Sequence, residues 1–246
     1  MTDNELKALV ASLAVEHAKT EAMQQKTEAM QQVSENVFVE TGFRGSNVGF
    51  VVTGDGVVMI DTPGVPSQAS RWRKEAETRG PIRYVINTEP HVDHAAGDFF
   101  LPGTLLAQEG IWRALSRAGT SEEFLGWIRS AAPDEASHLS GYKARLPDIT
   151  FSENATLRLG KHTFQLWHLA GHTSGQTAVY IPEEEVLFTG DDVVYKRQPY
   201  LVECNPLQWV KSLERIGKFE ADHIVPGHGE VFGDSSYVQE FSSFIQ

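Results

Sequence analysis

The stretch NTEPHVDHAAGD, residues 87–98, places four metal-capable side chains within six positions. Those side chains are Glu89, His91, Asp93 and His94. Imidazole nitrogens and carboxylate oxygens are ligands that suit Zn(II), Fe and Mn. The apolar run IRYVI comes directly before this stretch and is typical of a buried strand. The sequence therefore predicts a metal-binding loop at the end of a strand.

Three later loops carry the same kinds of side chain, and each follows an apolar, β-like run. GHTSG contains His172, FTGDD contains Asp191 and Asp192, and PGHGE contains His228. Their glycines allow tight turns that can aim a side chain into a shared cleft. One histidine alone is weak evidence for a metal site, but four such loops in succession indicate one. Asp191 is suited to bridging two metals, which would then lie roughly 3.5–4 Å apart.

The rest of the chain alternates between β-like and helix-like segments. SNVGFVVT and GVVMID are rich in β-branched residues, and the helix-like PSQASRWRKEAETRG ends at Gly80. NPLQWVKSLERIGKF is amphipathic and opens with Asn205 and Pro206, a helix-capping arrangement. Two successive sets of strands and helices predict a layered α/β domain with the metal ligands along one edge of its sheets.

The N-terminal segment has a different composition. Residues 3–32 contain almost no Gly or Pro and predict a long helix. KTEAMQQ occurs in tandem at 19–25 and 26–32, which favours either coiled-coil pairing or a solvated helix with a local duplication. We therefore predict a helical extension over residues 1–34, through which a homo-oligomer could form, and one domain over residues 35–246.

Composition and charge exclude several classes of protein. A chain of 246 residues with 41% hydrophobic and 22% charged residues is ordinary for a globular protein. The net charge of −12 disfavours binding to nucleic acid or to an anionic membrane. A single cysteine excludes an intrachain disulfide. Neither a secretory signal nor an apolar run of membrane-spanning length is evident, so we predict a cytoplasmic protein.

Taken together, the four loops resemble the metallo-β-lactamase superfamily, whose signature is His-x-His-x-Asp-His followed by a separated His, Asp and His. The matching positions are Glu89, His91, Asp93, His94, His172, Asp191 and His228. The likeness runs from about residue 36 to the C-terminus and is especially close over GHTSGQTAVYIPEEEVLFTGD. It implies a four-layer αββα sandwich, an α/β fold with a metal centre at the edges of its sheets.

The resemblance also implies two divalent metal ions, with zinc expected first. One site would use Glu89, His91 and His172, and the other would use Asp93, His94 and His228, with Asp191 between them. A metal-bound hydroxide held near Asp93 and Asp191 would attack a carbonyl group. The implied activity is hydrolysis of an ester, a lactone, a thioester or an amide in a small-molecule substrate.

Glu89 departs from the family pattern, which has His at that position. As a ligand, Glu89 would make its site more anionic and would favour Fe or Mn over Zn. Alternatively, Glu89 is not a ligand but orients His91 or a metal-bound water. In a third interpretation the first site is weak, and a single metal binds at Asp93, His94 and His228. Because some members of the superfamily act on oxygen, an iron-dependent redox enzyme is an alternative function. A non-catalytic metal-binding protein is a third.

Two segments are candidates for the substrate-binding wall. Residues 105–145, between the first and second metal loops, carry Trp112, Phe124 and Trp127, which would either line a pocket or pack in the core. The segment VVYKRQPYLVEC directly follows Asp192. Its candidates for contact with a substrate carboxylate or phosphate are Tyr195, Lys196, Arg197 and Tyr200, and a solvated loop is the alternative. Cys204 is expected not to be a ligand, because the family's metal-binding cysteine aligns with Asp191.

Overall fold

The structure of the protein, a computed structural model, describes residues 30–246. Within that range the first sheet contains β1 (Gln31–Gln32), β2 (Val37–Glu40), β3 (Val48–Thr53), β4 (Gly56–Ile60), β5 (Ile82–Ile86), β6 (Thr104–Gln108) and β7 (Ile149–Phe151), in that spatial order. The second sheet contains β8 (Asn154–Leu159), β9 (His162–His168), β10 (Thr177–Ile181), β11 (Val186–Val194) and β12 (His223–His228), also in order.

Each sheet changes from antiparallel to parallel pairing along its width. In the first sheet β1 to β4 are antiparallel neighbours, and β4 to β7 are parallel. In the second sheet only β11 and β12 pair in parallel. Parallel strands end at the same edge of a sheet, so the loops after β4 and β5 lie together, as do the ends of β11 and β12.

The helices cover the outer faces of the two sheets. They are α1 (Pro66–Glu77), α2 (Val92–Ala95), α3 (Glu109–Leu115), α4 (Thr120–Ala131), α5 (Pro206–Ile216) and α6 (Ser236–Ile245), with 3₁₀ turns at Ala96–Phe100 and Pro133–Leu139. The Asn205 side chain accepts a hydrogen bond from the Gln208 amide at 3.2 Å, which confirms the predicted cap of α5.

The described residues form four apolar clusters, and three of them join the layers. Phe164 and Phe188 lie in the cluster between the sheets, Trp72 of α1 packs on Phe50 of β3, and Trp209 of α5 packs near Phe241 of α6. Each fully buried Phe contributes about 1.5–3 kcal/mol to stability. β4 and β11 are buried at every position because both of their faces are covered. The predicted αββα sandwich is confirmed.

The segment before β2 differs from the sequence prediction. Gln31 and Gln32 pair with Val39 and Phe38 as a strand, so the helix predicted over 3–32 is wrong at its end. Strand pairing satisfies this backbone at the edge of a sheet, and local helix propensity does not outweigh it. The rest of that helix and most of the KTEAMQQ repeat lie outside the described residues, and the domain boundary at 34/35 stays a prediction. Among residues 30–246, no helix is both long and apolar enough to cross a membrane.

Candidate metal centre

All seven side chains predicted as metal ligands lie at one edge of the two sheets. Glu89 and His91 follow β5, Asp93 and His94 lie on α2, His172 follows β9, Asp191 lies near the end of β11 and His228 ends β12. Their nitrogen and oxygen atoms fall into three groups, and within each group these atoms lie within 4.8 Å of one another. The groups are Glu89, His91 and His172; Asp93, His94 and His228; and Glu89, His94 and Asp191.

The first group contains Glu89, His91 and His172. Oε2 of Glu89 lies 2.5 Å from Nδ1 of His91 and 3.5 Å from Nε2 of His172. The same two histidine nitrogens are 3.2 Å apart. The three ligand atoms are therefore close enough together to be candidates for binding one cation.

The second group contains Asp93, His94 and His228. Oδ2 of Asp93 lies 3.3 Å from Nε2 of His228. Asp191 lies between the two groups, because its Oδ1 is 3.4 Å from Nε2 of His94 and its Oδ2 is 3.7 Å from Nε2 of His172. Oδ2 is also 3.4 Å from Nε2 of His228.

Close backbone approach explains two glycines of these loops. A Cβ at position 227 would overlap the Asp191 carboxylate. Gly190 has φ of +52°, a left-handed conformation that favours glycine, and a Cβ there would overlap the Gln176 amide. The sequences TGD and PGH therefore bring the ends of β11 and β12 close enough for Asp191 to reach His228.

Asp61, at the end of β4, positions the second group and was missed by the sequence analysis. Its Oδ2 lies 2.9 Å from Nδ1 of His94, which leaves Nε2 of His94 facing the centre. Asp61 also accepts bonds from the amide and the hydroxyl of Thr88, at 2.7 and 2.6 Å. The only available signal was an aspartate at the end of the apolar run GVVMI.

Asp192 holds the backbone of the first group. Its Oδ1 accepts a hydrogen bond from the His172 amide at 3.0 Å, and its carbonyl accepts one from the Trp209 indole at 2.9 Å. Burial raises the pKa of Asp192 well above its ordinary value, although the bond from His172 acts in the opposite direction. Asp192 therefore contributes a hydrogen bond to the backbone and is outside all three groups.

Opposite charges compensate one another inside the centre. Burial acts to lower the pKa of His94, but the carboxylates of Glu89 and Asp61 raise it well above its ordinary value. Burial also opposes the charge of His228, yet the nearby Asp191 and Asp93 raise its pKa to about 10. The same carboxylates that favour charged imidazoles would also favour a bound cation.

A recess of about 390 Å³ adjoins the first group at His91. Its apolar wall includes Leu115 of α3 and Phe124 of α4, and its charged side chains include Arg117 and Glu203. Oε2 of Glu203 is 3.9 Å from Nε2 of His91. Phe124 lines the recess and, being only 4% exposed, also packs in the core, so it has both of the roles that the sequence left open.

Of the residues predicted to contact substrate, Tyr200 lies nearest the centre. Its ring is 55% exposed, and its centroid is 5.9 Å from that of His91 and 6.4 Å from that of His172. Tyr195 instead stacks on Phe232 at 4.7 Å and belongs to the packing around α5 and α6.

The remaining candidates are not among the described residues that line this recess. Trp112 is exposed beside a separate cavity with Pro147 and Asp148, and Trp127 packs in the cluster around α4. Both residues lie on helices, and the direction in which a helix presents a side chain depends on how it docks. Lys196 and Arg197 are exposed, and Cys204 is outside the three ligand groups.

A family model described as the metallo-beta-lactamase superfamily matches residues 41–228. The chain belongs to this superfamily. The membership expected from the four loops is confirmed. The superfamily implies divalent metal ions, and the three groups are candidate ligands for them.

Three curated relatives illustrate the range of the superfamily. Hydroxyacylglutathione hydrolase of Erythrobacter litoralis (strain HTCC2594) is 28% identical over 158 residues, which are 64% of this chain and 51% of that protein. Acyl-coenzyme A thioesterase MBLAC2 of Homo sapiens is 24% identical, over 71% of this chain and 66% of that protein. Metallo-beta-lactamase type 2 of Elizabethkingia meningoseptica is 23% identical, over 97% and 93%. The chain thus spans about half the length of the first of these relatives.

Solved structures agree on the fold. The metallo-beta-lactamase from Pontibacter korlensis superposes with a TM-score of 0.69 at 19% identity, covering 89% of this chain and 99% of that one. The DIM-1 metallo-beta-lactamase exposed to ceftazidime gives a TM-score of 0.68 at 20% identity, covering 90% and 98%. At these identities the likeness concerns the fold alone.

Proposed function

We propose that this protein is a metal-dependent hydrolase that cleaves an acyl compound, with an acyl thioester as the favoured substrate class. The observation that carries the proposal is the meeting of four imidazoles and three carboxylates from distant loops at one edge of the sandwich. The names of two relatives, a hydroxyacylglutathione hydrolase and an acyl-coenzyme A thioesterase, favour a thioester over the ester, lactone and amide alternatives.

The side chains present fit a pair of divalent cations. Nε2 of His94 and Oδ1 of Asp191 are buried without a hydrogen-bond partner among the described residues. Such atoms are costly to bury unless something binds them. The proposed ligands are Glu89, His91, Asp93, His94, His172, Asp191 and His228. When bound, such ions supply a nucleophilic water at neutral pH and polarise the carbonyl oxygen of the substrate.

The protein's own groups orient the reactants. We assign Asp93 and Asp191 to accept hydrogen bonds from the attacking water, because Asp191 contacts histidines of both groups and Asp93 contacts His228. Tyr200 stands over His91 and His172 with an exposed phenol that can donate to a substrate oxygen. Addition of water and cleavage of the carbon–sulfur bond give a carboxylate and a thiol.

The recess beside His91 is the proposed site for the part of the substrate that extends from the thioester. Leu115 and Phe124 offer apolar surface to a chain. Arg117 donates from Nε to the carbonyl of Ala114 at 3.2 Å and forms no ion pair with another described residue. Its guanidinium is available for a distal carboxylate or phosphate of the substrate.

Replacement of His228 tests the proposed function directly. We expect His228→Ala to lower the chelator-sensitive release of thiol from acyl thioesters by at least about 100-fold, because a metal ligand is lost. His223→Ala is the matched control, since His223 begins the same strand, β12, at the opposite end. Equal activities of the two variants, or wild-type turnover that persists in chelator, would refute the proposal. Thiol release is followed with a chromogenic thiol reagent.

An iron-dependent redox enzyme remains the second candidate, and one observation favours it. The first and second groups each combine two histidines with one carboxylate, the ligand set of many non-haem Fe(II) oxygenases. Elemental analysis of protein purified without added metal separates the candidates. Zinc with thioesterase activity supports hydrolysis, whereas iron with substrate-dependent oxygen uptake and no hydrolysis supports the redox function. The cytoplasmic location and oligomerisation through the N-terminal segment stay predictions.

A further inference from the structure

Glu89 is fully buried, and its two oxygens face different ligand groups. Oε2 is on the side of His91 and His172, at 2.5 and 3.5 Å from their nearest nitrogens. Oε1 is on the side of His94, at 3.4 Å from Nε2. Glu89 therefore belongs to two of the three groups, as His94 does, and it is the carboxylate that two groups share.

A backbone contact holds this orientation. The amide of Asp191 donates a hydrogen bond to Oε1 of Glu89 at 3.2 Å. Because this amide belongs to β11, in the second sheet, the carboxylate spans the gap between the two sheets. Rotation of the carboxylate would break the bond, so Oε1 stays near His94 and Oε2 stays near His91.

The residue type matters for what this position can bind. An ionised carboxylate has two acceptor oxygens, each with free lone pairs. A neutral imidazole has only one nitrogen free to accept, since the other carries a proton. Histidine at position 89 could thus serve one cation, whereas glutamate can serve two.

We propose that Glu89 bridges the two metal ions, with Oε2 in the group of His91 and His172 and Oε1 in the group of His94 and Asp191. The inference rests on the proposed dinuclear centre and goes beyond it. The centre would then contain two bridging carboxylates, Glu89 and Asp191. The ligand class it favours is a pair of divalent ions with affinity for oxygen, such as Mn(II) or Fe(II), relative to a centre with histidine at this position.

The bridge makes a prediction that a ligand to a single ion does not. Loss of a ligand to one ion weakens the binding of that ion alone, whereas loss of a bridging ligand weakens the binding of both ions. His172 is the matched residue for comparison, because it belongs only to the first group. Gln at position 89 keeps the size of the side chain but has no charge, so one ligand oxygen is lost and the amide oxygen that remains is a weaker ligand for the other ion.

The experiment loads metal-free wild type, Glu89→Gln and His172→Asn with Mn(II). Stepwise affinities come from calorimetry, and magnetic coupling between the ions comes from electron paramagnetic resonance. We expect two coupled ions in the wild type, at least tenfold weaker binding of both in Glu89→Gln with coupling reduced to that through Asp191, and weaker binding of only one in His172→Asn. Circular dichroism in chelator checks that each variant is folded.

Glu89→His provides a second test if Glu89→Gln does not fold. Its imidazole can serve the first ion, so we expect at least tenfold weaker binding of the ion at Asp93, His94 and His228 only. Unchanged affinity there overturns the bridge. So does a Glu89→Gln variant that weakens one ion only, or neither. If the wild type binds no metal, the proposed function fails together with the bridge. If the wild type binds two ions tightly and Glu89→Gln weakens the binding of only one, the bridge alone is refuted.

Discussion

The two ligand groups have the same composition, two histidines and a carboxylate, but opposite surroundings. The first group borders the recess, and its His91 lies beneath the exposed ring of Tyr200. The second group lies over a buried polar layer that reaches from Asp61 to Asp98. The comparison supports the proposal that the substrate binds on the side of the first group, while the second group is held in place from within the protein.

Asp98 is the deepest member of that polar layer. Its Oδ1 accepts hydrogen bonds from Thr62 at 2.9 Å and Asn87 at 3.2 Å, and both of those side chains also contact the His94 carbonyl. Burial raises the pKa of Asp98 to about 7 despite these bonds. The layer therefore includes a carboxyl group that is costly to ionise in the folded state.

The largest effect we predict comes from Asp98→Asn. The folded-state pKa of Asp98 lies above its unfolded value, so wild-type stability falls as the pH rises from about 4 to about 7. The variant removes this loss and should be more stable than the wild type by about 2–4 kcal/mol at pH 8, with no difference near pH 4. Urea unfolding of metal-free protein at both pH values measures it. An equal difference at both pH values would contradict the prediction.

A smaller effect is expected from Asp61→Asn, which removes the charge beside His94. Outer partners of ligating histidines typically affect metal affinity by about 10–100-fold, and we expect a loss of that size at the second group. Glu203→Gln is the control for the first group, because its 3.9 Å contact with His91 is exposed and should contribute little. Metal titration of both variants checks the contrast. Equal losses of metal affinity in the two variants would show that the second group does not depend on its surroundings more than the first group does.

The smallest effect concerns the recess. Arg117→Ala should raise the KM for a thioester with a distal carboxylate by about tenfold, roughly 1.4 kcal/mol, and leave a neutral thioester unaffected. Arg129, exposed on α4 and outside the recess, is the matched control. Steady-state kinetics with a succinyl and a butyryl thioester measures the difference. A KM that rises equally for both thioesters would assign Arg117 a structural role.

Much of the fold, and the set of side chains that gather at the sheet edge, could be predicted because both depend on local patterns. β4 and β11 read as apolar runs since both their faces are buried, and the loops that follow strands carry imidazoles and carboxylates. Asp61 was missed, since an aspartate at a strand end looks the same whether it contacts solvent or a histidine. The sequence leaves open whether Trp112 lines a substrate pocket or packs in the core, and in the structure α3 presents it to a cavity separate from the recess.

The sequence by itself determined the kinds of donor atom, their position after strands and the presence of Glu rather than His at position 89. Only the tertiary structure decided which donors share a group, because residues as far apart as Asp93 and His228 meet through parallel strand pairing and the packing of one sheet on the other. It also decided that the two oxygens of Glu89 face opposite sides. That orientation depends on a hydrogen bond from an amide 102 residues away, which no local pattern encodes.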